Sequence, residues 1–180
     1  MTTLADEKRL LRDEIRRRKA LCSADERARQ SAWVVEQLRR EPLFAAAHCV
    51  MLYWPLPDEP DLRPLIDEAL RTKRVMLPVV AGDDVLPVEL TATTAWRRGA
   101  FGIMEPQGNA CEATIDVVIV PGVAFDGAGR RLGRGRGYYD RFLATIAPVP
   151  TIGVAFDFQI VPHVPCAAHD VPMHKVIAAQ

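Results

Sequence analysis

The first 40 residues place apolar positions at helical spacing among charged ones. One apolar stripe predicts a helix over residues 4–20. Lys8 and Arg12 lie one turn apart on a face next to that stripe. This helix is therefore expected to present two cations beside the side that it buries. The stripe consists of Leu4, Leu11 and Ile15.

A second helix is predicted to begin at Ser23. The sequence SADE fits a capping box, in which the Ser23 side chain caps the helix and Glu26 reaches back. Pro42 is expected to end this segment, because proline lacks the backbone N–H that a helix needs. The predicted buried side of the helix consists of Ala24, Ala28, Ala32, Val35 and Leu38.

Short apolar runs rich in strand formers follow these helices, and helical patterns lie between the runs. Runs that are apolar throughout are typical of parallel strands buried on both faces. The alternation predicts an α/β fold of three layers, α/β/α, with a mainly parallel, Rossmann-like sheet on which the N-terminal helical pair packs. We expect one domain over residues 1–180. The strand runs span residues 48–54, 74–80, 116–121 and 151–156, the helical patterns span 61–72 and 137–146, and 82–90 fits a further meander strand.

Composition places the chain among globular proteins, with 49% hydrophobic and 26% charged residues. Its 23 basic and 23 acidic side chains cancel, so it lacks the bulk positive charge of a nucleic-acid-binding protein. The beginning of the sequence carries no apolar signal, and the four dispersed cysteines fit neither a disulfide framework nor a zinc site. We expect a cytoplasmic monomer with reduced thiols and without nucleic-acid or membrane partners.

One stretch, RRLGRGRGYYDRF at residues 130–142, differs from the rest. Glycines let a backbone approach a ligand and turn successive N–H groups toward an anion, and arginines bind phosphate oxygens. A helix that begins in GYYDRFL would add the positive end of its dipole, and Asp140 could hold magnesium. A phosphate-binding loop for a nucleotide is the main interpretation. A basic surface loop, or a nucleic-acid contact with bases stacked on the tyrosines, remains an alternative.

Loops that follow different strands are expected to meet at one edge of the sheet. In open α/β sheets, ligands bind at the carboxyl ends of the strands. Three unusual segments occupy such positions, at residues 54–61, 121–140 and 157–170. The sequence therefore predicts one site built from these three segments.

The segment PGVAFDGAGRRLGRGRGYYDRFL at residues 121–143 resembles the signature of the 5-formyltetrahydrofolate cyclo-ligase family. Further segments resemble that family in the same order and extend the resemblance over nearly the whole chain. They are KRLLR at 8–12, YWPLPDEPD at 53–61, FGIMEP at 101–106 and IGVAFDFQIVPHVPCAAHDVPM at 152–173.

The resemblance implies a reaction with two substrates. Members convert 5-formyltetrahydrofolate to 5,10-methenyltetrahydrofolate, with ATP as co-substrate and Mg²⁺, and release ADP and phosphate. The formyl oxygen takes the γ-phosphoryl group, N10 closes the ring and phosphate leaves. Such phosphoryl transfer depends on positioning and on charge neutralisation more than on a protein nucleophile.

The resemblance also implies roles for individual residues. Catalytic roles fall on Arg134, Tyr138 and Asp140. The ATP-binding set is Lys8, Arg12, Arg131, Leu132, Gly133, Arg134, Gly135, Arg136, Gly137, Tyr138 and Tyr139. The folate-binding set is Trp54, Glu59, Arg134, Gly135, Arg136, Gly137 and Tyr138, with Glu59 at the donor edge of the pterin. Magnesium would be bound by Asp140 and Asp170.

One position departs from the family pattern. His174 stands where many members have a second aspartate after the position of Asp170. A divergent, non-catalytic paralogue that binds a nucleotide or RNA is therefore the alternative function. A different enzyme on the same type of sheet, such as a sugar-phosphate isomerase or a thioester transferase, fits the full Gly-Arg-Gly-x-Gly-Tyr-Tyr-Asp run less well.

Overall fold

A mainly parallel sheet forms the centre of the molecule. The computed structural model describes residues 2–99, 102 and 104–179, and within these ranges the central sheet has six strands. In chain order the strands of the molecule are β1 (Cys49–Met51), β2 (Arg74–Ala81), β3 (Asp84–Leu90), β4 (Trp96–Arg98), β5 (Met104–Pro106), β6 (Val117–Pro121), β7 (Ala124–Phe125), β8 (Arg131–Leu132), β9 (Thr151–Ala155) and β10 (Lys175–Ala178).

The order of the central strands is β10-β9-β6-β1-β2-β3. All neighbours pair in parallel except β3, which runs antiparallel to β2 and forms the predicted meander. The antiparallel pairs β4–β5 and β7–β8 lie outside the central sheet. Loops after β1, β6 and β9 therefore leave from one edge, as the sequence predicted.

Helices cover both faces of the sheet and confirm the predicted three-layer α/β class. Residues of α2, α3 and α4 share one core cluster with one face of the sheet, and residues of α5 share a second cluster with the other face. The helices are α1 (Leu4–Leu21), α2 (Ala24–Arg40), α3 (Pro42–Ala46), α4 (Arg63–Ala69) and α5 (Tyr138–Ile146), with a short 3-10 helix at Asp157–Gln159. No helix of the described residues is long and apolar enough to cross a membrane.

The continuous apolar runs become strands because side chains on both faces are buried. Val50 belongs to the core beneath α2 and α4, whereas its neighbour Met51 belongs to the core beneath α5. Only Cys49–Met51 of the run at 48–54 is a regular strand. The chain then turns while remaining buried, and the Tyr53 hydroxyl donates to the carbonyl of Pro60 at 2.9 Å.

The two N-terminal helices begin as predicted, but their caps differ from the expectation. Ser23 accepts a hydrogen bond from the backbone N–H of Glu26 at 3.1 Å. The Glu26 carboxylate instead accepts from Gln30 at 2.9 Å, so the predicted reciprocal bond to Ser23 is replaced. A full capping box is present at the start of α1, on Thr3. Pro42 follows the end of α2 as predicted and is also the first residue of α3.

The predicted buried face of α2 is wrong in its first half. The three predicted alanines are exposed, and burial begins at Gln30 and Ser31 before continuing through Val34, Val35 and Leu38. The two polar residues are buried because they accept hydrogen bonds from loops. Gln30 accepts from the N–H of Asp157 at 2.9 Å, and Ser31 accepts from that of Asp61 at 3.0 Å.

The α1 helix packs at the loop edge of the sheet rather than on its centre. Ile15, which is buried, shares a small core cluster with Ala124 and Leu132 of β7 and β8 and with Val161 and Val164 of the C-terminal segment. Leu11 is partly buried at the same cluster. Ile15 and Leu11 of the predicted stripe therefore fix the helix over the segments that carry the site, whereas Leu4, its third predicted member, is exposed.

We predict that Leu38→Ala lowers the free energy of unfolding by about 2–5 kcal/mol, because it leaves a cavity between α2 and the sheet. Leu38 is fully buried at 0% exposure. Urea unfolding measures the change. The control is Leu21→Ala at 89% exposure, expected to shift stability by no more than about 0.5 kcal/mol. Equal effects of the two substitutions would contradict this packing.

Candidate functional site

The glycine-arginine loop, residues 131–137, is anchored at its start by a buried carboxylate. Asp126 accepts hydrogen bonds from the backbone N–H groups of Ala128, Arg130 and Val164 at 2.9, 3.0 and 2.9 Å. Burial acts to raise the pKa of Asp126, but these three bonds and the nearby Arg130 lower it overall. An ionised Asp126 therefore fixes the turn between β7 and β8 and directs the chain into the loop.

Two glycines of the loop serve distinct geometric needs. Gly137 has φ of +69° and is the N-cap of α5, a left-handed conformation that favours glycine. At Gly133 a Cβ atom would lie 3.0 Å from Nη1 of Arg131, so a side chain there would press on the guanidinium. At Gly137 a Cβ atom would lie 2.9 Å from Nη1 of Arg141, so both positions keep the backbone close to a guanidinium.

Arg131 and Asp140 form an ion pair beneath the loop. Nη2 of Arg131 lies 3.0 Å from Oδ1 of Asp140, and the two side chains are 4% and 15% exposed. The guanidinium also lies over the ring of Tyr139, 5.5 Å from its centroid. Nε of Arg131 has no hydrogen-bond partner within the described part of the chain. This donor is buried next to the site.

Two cations of α1 contact the segments that form the site. Nε of Arg12 donates to the carbonyl oxygen of Gly133 at 2.9 Å, and Nζ of Lys8 donates to Asp170 at 2.5 Å. Burial lowers the pKa of Arg12. Burial would raise the pKa of Asp170, but the bonds from Lys8 and from the N–H of Ala167 lower it overall. The helix predicted to carry two cations therefore places both at the site.

A polar cavity of about 410 Å³ lies between α1, the loop and the start of α5. Cations and carboxylates line it together with the backbone of the loop. Its polar lining comes from Lys8, Arg12, Arg131, Asp140, Arg141, His169 and Asp170, and its loop lining from Leu132, Gly133, Gly135 and Gly137. This composition suits a polyphosphate with a bound cation.

A larger and more apolar cavity, of about 560 Å³, lies on the other side of the loop. Aromatic and aliphatic side chains form most of its wall, and the carboxylates of Glu59 and Glu105 also line it. Arg131, Gly133, Gly137 and Asp140 line both cavities, so the loop is a shared wall. The aromatic part of the wall is Trp54, Tyr138 and Tyr139.

Arg134 is held by carboxylates from the loop after β1. Its Nη2 donates to Asp58 at 2.7 Å and to Glu59 at 3.1 Å. Asp58 also accepts from Lys19 of α1 at 3.0 Å, and Glu59 accepts from the N–H of Leu56 at 3.0 Å. These contacts join α1, the loop after β1 and the glycine-arginine loop in one network.

The two carboxyls of this network shift their pKa values in opposite directions. Burial raises the pKa of Glu59, and the bond from Leu56 and the charge of Arg134 offset it only in part. Burial also acts to raise the pKa of Asp58, but hydrogen bonds from Arg134 and Lys19 lower it overall. Two carboxylates hold the pKa of Arg134 above its ordinary value against the effect of burial.

The structure brings the residues predicted for the site to one edge of the sheet, and it divides them between the two cavities. Arg134 and Arg136 line the apolar cavity, although their predicted role includes phosphate binding. Trp54 combines pocket lining with packing, since it contacts the main core and its ring centroid lies 4.5 Å from that of Trp96. Tyr138 donates to the carbonyl of Gly82 at 3.5 Å.

Asp58, Lys19 and Glu105 were not singled out as site residues from the sequence. Asp58 and Lys19 carry no local signal, because their pairing depends on how α1 crosses the loop after β1. Glu105 belongs to the segment FGIMEP, whose Phe101 and Ile103 lie outside the described residues. A charged residue within a short apolar stretch was the available hint for Glu105.

His174 lies at the opposite edge of the sheet from the loops. Its Nδ1 is 3.1 Å from the backbone nitrogen of Thr151, the first residue of β9. The backbone N–H of His174 donates in turn to the carbonyl of Thr151 at 3.1 Å. His174, which departs from the family pattern, therefore contacts the start of β9 and does not line either cavity.

Asp140 and Asp170 suit a magnesium ion by their chemistry. No group of three or more His, Cys, Asp or Glu side chains among the described residues could hold a metal. Magnesium needs only one or two carboxylates when substrate phosphates and waters complete its shell. Asp140 and Asp170 line the same cavity, and each carboxylate is now neutralised by a cation, Arg131 or Lys8.

Comparison with known proteins agrees with this geometry. The profile of the 5-formyltetrahydrofolate cyclo-ligase family matches residues 5–179. A 5-formyltetrahydrofolate cyclo-ligase of Escherichia coli (strain K12) is 30% identical over 173 residues, covering 91% of this chain and 95% of its own. One from Mycolicibacterium smegmatis is 37% identical over 147 residues, or 75% of each chain.

Solved structures give the same result. The NMR structure of Aquifex aeolicus 5,10-methenyltetrahydrofolate synthetase superposes with a TM-score of 0.84 at 37% identity, over 95% of this chain and 89% of that one. A 5,10-methenyltetrahydrofolate synthetase from Mycoplasma pneumoniae, 24% identical, shares the fold with a TM-score of 0.76.

We predict that Asp58→Asn lowers the free energy of unfolding at neutral pH by about 1 kcal/mol or less, because the paired carboxylate is partly exposed. The pKa of Asp58 is lowered in the folded state. Its contribution is therefore complete above the unfolded value near pH 4 and is lost as pH falls through the folded value. Urea unfolding at a series of pH values measures the difference.

The control for this prediction is Asp13→Asn, which removes an exposed carboxylate paired with Arg16 at 2.7 Å on the same helix as Lys19. It is expected to change stability less than Asp58→Asn does. A difference between wild type and Asp58→Asn that stays constant as the pH falls would contradict the role of the ionised carboxylate.

Proposed function

The chain belongs to the 5-formyltetrahydrofolate cyclo-ligase family, and we propose that it converts 5-formyltetrahydrofolate to 5,10-methenyltetrahydrofolate with ATP as co-substrate. ADP and inorganic phosphate are the other products. The family assignment supports the type of reaction, and the arrangement of the site supports how this chain carries it out.

The observation that carries the proposal is the shared wall between the two cavities. A phosphoryl donor in the polar cavity and a phosphoryl acceptor in the apolar cavity would meet across Gly133 and Gly137, which line both. Phosphoryl transfer requires that attacking oxygen, phosphorus and leaving oxygen be aligned and that charge be neutralised. The loop backbone and Arg131 at the boundary of the two adjoining cavities would supply fixed N–H groups and positive charge where the two substrates meet.

The polar cavity is assigned to the nucleotide. Lys8 and Arg12 offer positive charge from α1, and the N-terminus of α5 offers backbone N–H groups and the positive end of its dipole. Gly137 caps α5 without a side-chain hydrogen bond, so the first N–H groups of the helix remain available to phosphate oxygens. The unpartnered Nε of Arg131 adds a buried donor at the wall.

The apolar cavity is assigned to the folate. Trp54, Tyr138 and Tyr139 provide aromatic surface for the pterin and the benzoyl ring. Glu59 is buried at 9% exposure, and its carboxylate suits the 2-amino and N3–H donors of the pterin. Arg134 stands beside Glu59 in the wall of the same cavity, and we assign it to the charge that develops on the formyl group and on the transferring phosphoryl group.

The chemistry proceeds in two balanced stages. The formyl oxygen attacks the γ-phosphorus, the bond to the bridging oxygen breaks and ADP leaves. N10 then adds to the activated formyl carbon and loses its proton, and the former formyl oxygen departs with phosphate. Arg134 would stabilise the transferring group, and Tyr138 would position the folate at the wall. Both tasks depend on the fixed geometry of the loop.

Asp140 and Asp170 are the residues that would hold magnesium. When bound, the ion would neutralise phosphate charge and orient the oxygens of the triphosphate. Binding would require each carboxylate to exchange its present cation for the ion. Arg131 and Lys8, once released from Asp140 and Asp170, would lie at the same cavity and could turn to the phosphates.

We predict that Arg134→Ala lowers kcat by about 10²–10³-fold with 5-formyltetrahydrofolate and Mg-ATP, because a preorganised charge is lost where negative charge develops. The rise of methenyl absorbance in the near ultraviolet measures the rate. Arg134→Lys is expected to restore little, since Nη2 alone bonds Asp58 and Glu59, and an ammonium that kept these bonds would lack the further planar donors that a guanidinium offers to phosphoryl oxygens.

Arg17→Ala is the matched control, because Arg17 is an exposed cation on α1 that lines neither cavity. It is expected to leave turnover unchanged. Absence of turnover by the wild type, together with nucleotide binding that Arg134→Ala leaves untouched, would reject the proposed activity. Salt-sensitive RNA binding by the wild type would then favour the alternative of a nucleic-acid-binding paralogue.

A second prediction concerns pH. Because burial raises the pKa of Glu59, lowering the pH toward the ordinary range of glutamate should protonate Glu59 before exposed glutamates and weaken binding of 5-formyltetrahydrofolate. Glu59→Gln should bind weakly across this range without that pH dependence. Calorimetric titration measures both dissociation constants. The control Glu68→Gln alters an exposed carboxylate on α4 and should follow the wild type; parallel curves for Glu59→Gln and wild type would contradict the assignment.

A further inference from the structure

Glu105 places a second buried carboxylate in the wall of the apolar cavity. The residue is 5% exposed and lies in the middle of β5. Its Oε1 accepts from the backbone N–H of Val80 at 3.4 Å, and its Oε2 lies 3.5 Å from Nη2 of Arg97 across the β4–β5 pair. Both contacts are long for bonds to an ionised carboxylate, which are usually about 2.7–2.9 Å.

Such a carboxylate is costly to bury unless it is paired and hydrogen-bonded. The side chain of Arg97 is itself 52% exposed, so water screens the charge that it offers to Glu105. A carboxylate has about four acceptor positions, and the two long contacts that Glu105 makes among the described residues leave acceptor capacity for a group inside the cavity. Glu105 can therefore accept a hydrogen bond from a ligand in the cavity.

The two buried carboxylates of the cavity, Glu59 and Glu105, stand on different elements. Glu59 lies in the loop after β1 and Glu105 lies on β5, while aliphatic side chains of β2, β3 and β5 form the wall near Glu105. These side chains are Leu77, Val80, Val85 and Met104. A ligand that satisfies both carboxylates must carry N–H donors on two separate edges of a largely apolar body.

A reduced pterin ring meets this requirement. Its 2-amino group and N3–H form one donor edge, and N8–H is a further donor elsewhere on the ring. We propose that Glu105 accepts the N8–H of the reduced pterin and is the residue that selects reduced over fully oxidised folates. This inference rests on the proposed function and on the placement of Glu59 at the other donor edge.

The selection follows from the chemistry of N8. In a fully oxidised pterin, N8 has no hydrogen and presents a lone pair. A lone pair that faces a buried carboxylate is repelled and leaves the carboxylate without a partner. The cavity would therefore reject an oxidised ring of nearly the same shape, and it would do so by an unpaired polar group rather than by steric exclusion.

The test compares dissociation constants for 5-formyltetrahydrofolate and folic acid, measured by calorimetry on the full chain. Wild type is expected to prefer the reduced ligand. The ratio of the dissociation constant of folic acid to that of 5-formyltetrahydrofolate measures the preference for the reduced ligand. Glu105→Gln should reduce this ratio by about tenfold or more, because a charge-assisted hydrogen bond is replaced by an amide that can accept from N8–H or donate to N8. It should also bind folic acid more tightly than wild type does.

Glu105→Met keeps the length of the side chain without its charge and gives an independent measurement. It should weaken binding of the reduced ligand and reduce the same ratio. Glu112→Gln is the matched control, since it makes the same chemical change at an exposed position and should leave the ratio unchanged. Arg97→Gln removes the cross-strand partner and should also preserve the preference for the reduced ligand.

Three outcomes would overturn the assignment. In the first, the ratio keeps its wild-type value in Glu105→Gln and Glu105→Met. In the second, Arg97→Gln reproduces the effect of these substitutions, and Glu105 is then a structural partner of Arg97. The third is a wild type that binds both ligands equally well. A wild type that binds neither folate would instead reject the proposed function, so the two failures are distinguishable.

Discussion

The parallel pairing of β1 with β6 is the constraint on which the site depends. Val50 pairs with Val117 and Met51 with Val118, so both strands end at the same edge of the sheet. The loop that carries Glu59 and the segment that leads into the glycine-arginine loop must therefore emerge side by side. Arg134 reaches Asp58 and Glu59 because this pairing has already brought their backbones together.

Charges at this edge are arranged in pairs that a ligand can exchange. Lys8 is paired with Asp170, Arg131 with Asp140, and Arg134 with Asp58 and Glu59. Each pair limits the cost of holding charge in a partly desolvated cleft. Substrates that bring phosphate, a metal ion or N–H donors would replace one half of a pair without leaving the other half unpaired.

The sequence predicted the sheet and its covering helices because continuous apolar runs and helical spacing follow directly from burial. It predicted the burial of Val35 and Leu38 on α2 but not that of Gln30 and Ser31, because these two polar residues are buried through bonds to distant loops. At the site, the glycine-arginine loop was recognisable from local composition. Asp58 and Glu105 were not recognisable in this way, because their hydrogen-bond partners lie on other elements. Asp58 accepts from Arg134, which is distant in sequence, and Glu105 accepts from Val80 of β2.

The boundary that the two cavities share has a consequence for inhibition. Because Arg131, Gly133, Gly137 and Asp140 line both cavities, the cavities adjoin, and a pterin joined through its N5 substituent to a short polyphosphate could occupy both at once. Each half of such a bisubstrate compound would hold the other at high effective concentration, so its affinity would exceed that of either fragment. The same boundary that brings the two substrates together thus makes the pair of cavities a single target.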